Sequence, residues 1–443
     1  MSTSFAPLIS SIRNIPLVER RGAITAIRSN TLQISGLSGA AKLGDLVSIR
    51  REDSPEMFGE VLSLQGQAIE ILPEHGCQGV SLKDAVIHVG SQRIMPDQSW
   101  LGRVLDPFLR PLDGNPLIHG MVEMPLKSNP PAAATRKRLG GRMSTGVAAL
   151  DTFVPIVRGQ RMGIFAGSGV GKSTLLADLA KGVDTDVVVI ALIGERGREV
   201  RDFVEDVLGS EGMKRSVVVA ATSDQSSMIR RRCAWVATAI SEFFRDKGAH
   251  VLLLADSVTR FAEAHREIAL SSGELAGPQG FPPSTSQELM ALCERAGPGK
   301  SGAGDITAVF SVLVQGSDME GPIADVMRGI LDGHLVLSRE IAERGRFPAI
   351  DVLKSVSRSL PSAASPEELE ILTQARNLMS EYEDASIMIK AGLYEVGTDE
   401  NIDRAISSRP KIEAFLSGSK PKSSTDIFTQ LSNCINFNSL QKF

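Results

Sequence analysis

Residues 161–174, Arg-Met-Gly-Ile-Phe-Ala-Gly-Ser-Gly-Val-Gly-Lys-Ser-Thr, constrain the fold more than any other stretch. Arg161 to Ala166 form a short apolar run with strand character. Gly167, Ser168, Gly169, Val170 and Gly171 form a glycine-rich loop, and Lys172, Ser173 and Thr174 open a helical pattern that runs on through Leu-Leu-Ala-Asp-Leu-Ala-Lys-Gly. Strand, glycine loop, Lys-Ser/Thr and helix in that order make a phosphate-binding loop of the Walker A kind. Glycines let the backbone curl so that several N–H groups face one anion. The helix start adds further donors and the positive end of its dipole. Lys172 supplies a point charge for the β- and γ-phosphates, and Ser173 a hydroxyl for Mg²⁺. The first position of the pattern is Ala166 instead of glycine, a change to the next smallest side chain.

A chain of 443 residues has room for two or three domains. A net charge of −4 makes no electrostatic case for a nucleic-acid partner. The four cysteines (Cys77, Cys233, Cys293, Cys434) are scattered without a C-x-x-C pair, as suits a reducing compartment better than a disulfide framework or a zinc site. No apolar run approaches the ~18 residues that cross a bilayer, and the N-terminus lacks the pattern of a secretory signal.

Residues 1–20 are read as a mobile segment or a short helix that docks on a partner or a membrane surface. Across residues 21–90, short runs of roughly alternating apolar residues bounded by Gly, Asn or Asp predict a small β-barrel. Residues 91–135 are rich in Pro and Gly and read as a linker that leads into the phosphate-loop domain, taken as residues 91–355. From about residue 140, Val- and Leu-rich strands without alternation exchange with helical stretches, the mark of an α/β fold whose parallel sheet is covered on both faces. Residues 356–418 carry helical spacing and predict a small helical domain. The Ser-, Asn- and Lys-rich residues 419–443 read as a mobile tail.

Phosphate binding alone is not hydrolysis, which also needs a metal, an oriented water and stabilised charge on the transferred group. Asp256 ends the run His250–Asp256 like a Walker B carboxylate, although an aspartate capping the next helix would look the same. Glu195, in Gly-Glu-Arg-Gly-Arg-Glu, follows another buried strand, where ligands of such sheets bind. It is a candidate to polarise the attacking water, or else one member of a solvated cluster with Arg196, Arg198 and Glu199. Arg358 follows the sheet domain and is one of many arginines.

Taken together, the blocks Gly167–Thr174, Ile193–Glu199, Leu252–Glu267, Gly280–Ser284, Ile330–Arg339 and Arg346–Arg358 resemble the rotary-type ATPases. More narrowly, they resemble the type III export ATPases of the flagellum and of the virulence injectisome, which are similar to the ATP synthase β subunit. The resemblance extends over roughly residues 20–418. It implies a RecA-like P-loop core between an N-terminal β-barrel and a C-terminal helical domain. It further implies Mg-ATP hydrolysis by a homohexameric ring at the cytoplasmic face of an export gate, serving export substrates and chaperones, with a stator-like regulator on the N-terminal segment. By position, Lys172 and Ser173 would meet the phosphates and Mg²⁺, and Asp256 the metal. Glu195 would orient the water, Arg196 and Arg260 would lie near the γ-phosphate, and Phe347 would stack on adenine. Arg358 would be the arginine finger of the neighbouring subunit's site. Gln315 and Ser317 stand where the family pattern has acids, and residues 273–297 are looser than that pattern.

Two other readings are open. An RNA-dependent ring helicase or termination factor would need aromatics on its N-terminal domain, and residues 21–90 hold one, Phe58. A non-catalytic nucleotide-binding subunit would lack the acid at Glu195.

Overall fold

The computed structural model describes residues 18–52, 54–314, 319–418 and 424–435. The expectations for residues 1–17 and for Gln315 and Ser317 lie outside them. The chain divides into two compact units, residues 1–136 with 186–306, and residues 137–185 with 307–443. The chain thus crosses between units inside the predicted ATPase domain.

The first unit begins with a closed six-stranded barrel: β1 (Arg21–Ile27), β2 (Leu32–Ser35), β3 (Leu46–Arg50), β4 (Met57–Gln65), β5 (Ala68–Pro73) and β6 (Ala85–Gly90), in the order β1-β2-β5-β4-β3-β6. Every pairing is antiparallel. Alternation sends Ile24, Leu32, Ile34, Val47, Ile49, Val61, Ile69, Ile71 and Val86 into one core, as the pleat requires of a barrel with a filled interior. Leu46 and Leu72 face outward and pack with Met228 and Ile268 of the same unit. Beside them the buried pair Glu60–Arg231 closes at 2.6 Å.

The rest of this unit is a parallel sheet in the order His250–Asp256, Val187–Glu195, Ser216–Thr222, Val104–Leu105. Its inner strands are buried along almost their whole length, which explains their unbroken Val/Leu/Ile composition. The helix Ser227–Asp246 is capped by the Ser226 side chain and is buried through most of its turns. The stretch expected to be a linker does more than connect: Val104–Leu105 adds the edge strand, and Trp100 is fully buried with its Nε1 donating to the Ile118 carbonyl at 2.6 Å.

The second unit holds the strands Ile350–Ser357, Gly333–Leu337, Arg161–Ala166 and Asp305–Leu313, paired in that order. The first pair is antiparallel and the others parallel. After it come the helices Pro366–Lys390 and Glu400–Ser417. The first carries a complete capping box, Ser365 with Glu368. The expectation of a mobile tail from residue 419 is corrected over part of its length. Ser424–Ile435 is a helix whose Ile427, Phe428, Leu431 and Ile435 are buried.

Candidate functional site

In the second unit, the strand Arg161–Ala166 delivers the chain into the loop with Ala166 fully buried. The alanine methyl at this first position is thus packed into the core. Gly169 and Gly171 take φ values of +76° and +86°, a region that side chains disfavour. The following helix, Lys172–Gly182, starts from Gly171 with no side-chain cap. A helix start left without a capping side chain can offer its first N–H groups to an anion. Ser173 and Thr174 are exposed at this end.

Phe347 comes to the same place. Its ring carbons lie 3.3 Å and 3.4 Å from where a Cβ on Gly171 would stand, and the residue is 51% exposed. A half-open aromatic face beside a phosphate loop suits a flat base. Arg358 lies elsewhere in this unit, exposed, with its Nη2 donating to the Arg328 carbonyl at 3.2 Å. It lines a cleft with Asp325, Arg328, His334 and Val356 that includes no residue of the phosphate loop. Burial, then the Arg328 and Arg358 cations, hold the His334 imidazole below its usual range.

In the first unit, Glu195 ends the strand Val187–Glu195 and is partly exposed. Gly194, at φ +72°, leaves room for the Arg260 stem: a Cβ there would sit 3.2 Å from Arg260 Cγ. Arg260 is thereby laid against the backbone that carries Glu195, and its Nη1 meets Glu263 at 2.9 Å. Asp256 is 4% exposed and pairs in register with Leu192, three residues before Glu195. The Asp256–Ser257 peptide is cis. The helix Val258–Ser271 is capped by the Ser257 side chain, which accepts from the Arg260 N–H. The N-cap position of that helix is thus Ser257, one residue past Asp256. Arg196 is less engaged: its side chain is 82% exposed and meets Glu199 at 3.7 Å.

The structure thus groups Phe347 with the phosphate loop in one unit, and Glu195, Asp256 and Arg260 in the other. Sequence reasoning missed Gly194 and the Ser257 cap. The signal for the cap was a serine three residues before the first charged residue of an amphipathic run.

Residues 146–357 match the ATP synthase alpha/beta family nucleotide-binding domain, and residues 364–432 match the T3SS EscN ATPase C-terminal domain. The flagellum-specific ATP synthase of Caulobacter vibrioides is 45% identical over 94% of this chain and 96% of its own. This chain belongs to the type III export ATPase family. The type 3 secretion system ATPase of Xanthomonas euvesicatoria is 42% identical, covering 90% of each chain. The assembled ATPase EscN of the enteropathogenic E. coli type III secretion system superposes with a TM-score of 0.86 at 35% identity, over 94% of this chain and all of EscN. With its central stalk EscO, EscN superposes at 0.84 and 36%, with the same coverage of both chains. The export ATPase fold described here, barrel, parallel-sheet core and terminal helices, is shared along nearly the whole chain, and the protein is an ATPase.

Proposed function

We propose that this export ATPase hydrolyses Mg-ATP in a ring of its own copies and so drives protein export through the flagellar type III apparatus. The observation that carries the reading is the uncapped, glycine-shaped loop at Lys172 with the Phe347 ring against it. The extent of the likeness to a flagellar relative supports it.

The donor set suits Mg²⁺. Among the described residues no cluster of three or more His, Cys, Asp or Glu could cage an ion. Ser173 and Asp256 offer hard oxygens, as fits an ion carried chiefly by nucleotide phosphates and water. When bound, the ion neutralises charge on the β- and γ-phosphates. Lys172 and the loop N–H groups hold the phosphates, and Ser173 and Asp256 are the residues that would hold the ion. Phe347 stacks on adenine. Glu195 accepts a hydrogen bond from the attacking water and aims it at the γ-phosphorus. Arg260, held beside Glu195, and Arg196 act on the γ-phosphate oxygens, and Arg358 serves the site of the next copy.

The assembly of EscN supports the ring, and its stalk supports a partner of similar kind for this chain. The N-terminal segment is assigned to a stator-like regulator, and the export gate, substrates and chaperones are the further partners. Among the described residues no helix is long and apolar enough to cross a membrane. Its place of work is assigned to the cytoplasmic face of the gate.

The likeness to the Xanthomonas enzyme favours one second reading, service of a virulence injectisome. A strain lacking the gene separates the two. Loss of swimming and of external filament, restored by wild type and not by Glu195→Gln, supports flagellar export. Normal swimming without the gene contradicts it.

A further inference from the structure

The placement of Phe347 against the phosphate loop depends on what holds the loop that carries it. Its neighbour Arg346 is 7% exposed. The Arg346 Nη2 donates to the Ile350 carbonyl at 2.8 Å, closing the turn around Phe347. Its Nε lies 2.8 Å from Glu413 Oε2 without the alignment of a hydrogen bond, and its Nη1 has no hydrogen-bond partner. A guanidinium buried with donors to spare is costly unless an anion faces it. That anion, Glu413, sits on the helix Glu400–Ser417. Glu413 also meets Arg409 at 2.7 Å, and Arg409 reaches Glu383 on the helix Pro366–Lys390 at 3.2 Å. The Arg409 guanidinium stands 4.9 Å from the centre of the Tyr382 ring. Both arms of the helical hairpin are therefore tied, through one carboxylate, to the residue beside Phe347.

We propose that Arg346 is a positioning residue for the adenine base: anchored by Glu413 and the Ile350 carbonyl, it sets the Phe347 ring at the phosphate loop and makes base affinity depend on the helical hairpin. The proposal rests on the reading of Phe347 as the base-stacking ring. It concerns the base and not the phosphates, because the contacts from Arg409 through Glu413 and Arg346 lead to the residue that carries the ring. Removing Arg346 frees the ring, while the loop at Gly171 keeps its own geometry.

The test compares two ligands on the full chain with Mg²⁺ present: ADP, which carries the base, and inorganic pyrophosphate, which does not. The variants are Arg346→Met, Arg346→Lys, Glu413→Gln and Phe347→Ala, each with a melting curve. Arg346→Met is expected to weaken ADP about tenfold, the scale of one aromatic contact, and pyrophosphate by less than about twofold. Phe347→Ala should show the same selectivity. Arg346→Lys, which keeps the charge toward Glu413 but loses the planar fork, should fall between Arg346→Met and wild type. If Arg346→Met does not fold, Arg346→Lys and Glu413→Gln carry the same comparison. Selective loss in Phe347→Ala with no loss, or equal loss of both ligands, in the Arg346 and Glu413 variants overturns the proposal and leaves the Phe347 reading standing. No selectivity in Phe347→Ala itself overturns that reading and the proposal with it.

Discussion

Glu195 carries the sharpest expectation of any single residue. It sits past a buried strand end with Arg260 laid against the backbone next to it, and loss of a positioned base costs about 10²–10⁴ in rate. Glu195→Gln should lower kcat on that scale while ADP affinity stays within about twofold, since the proposed phosphate contacts are assigned to other residues; steady-state kinetics with equilibrium binding checks both. His265 gives a second, independent expectation. Its Nδ1 stands 3.3 Å from the Arg231 guanidinium and its Nε2 2.8 Å from Ser284 Oγ. Burial first, then Arg231 and Lys127 against the opposing pull of Glu288 and Glu274, lower its pKa from 6.5 to about 4. Below pH 6.5 the unfolded chain therefore takes up a proton that the folded chain refuses until about pH 4. The stabilisation is complete above that window and is lost as pH falls through it. Urea unfolding at pH 7 and at pH 5 should show this loss, and His265→Gln should flatten the slope.

At the scale of elements, legibility followed periodicity. The barrel could be read because its strands alternate and glycines punctuate them. The buried parallel strands could be read because both faces are covered. Val104–Leu105 could not be read, since two residues carry no period and only their partner strand makes them an edge. The helix Ser424–Ile435 was hidden for another reason. Its buried Ile427, Phe428, Leu431 and Ile435 follow helical spacing, but the polar, Ser- and Asn-rich composition around them mimics a disordered tail. Leu431 is fully buried, so Leu431→Ala should cost about 2–4 kcal/mol. Thermal or urea unfolding would measure it, and a neutral result would contradict the packing of that helix. Within the candidate site, the motif positions could be proposed from the sequence because phosphate chemistry limits residue types. The Ser257 cap and the Arg346 anchor were not, because each depends on a contact that sequence spacing does not encode.

At the scale of the whole molecule, one copy is not the working unit of this account. Arg358 lines a cleft that includes no residue of its own chain's phosphate loop. An arginine finger supplied by a neighbour contributes about 10³–10⁵ in rate. Turnover per chain should therefore rise with protein concentration until assembly is complete. The measurement that bears most directly on the central claim mixes two inactive variants. Arg358→Ala keeps its own Lys172 and Glu195 but cannot serve a neighbour, whereas Glu195→Gln cannot hydrolyse but still presents Arg358. Each alone should be nearly silent, and co-expressed, co-purified mixtures should regain a substantial fraction of wild-type turnover at the sites where the two meet. Mixed assemblies that remain as inactive as either variant alone would contradict an active site completed by the neighbouring copy.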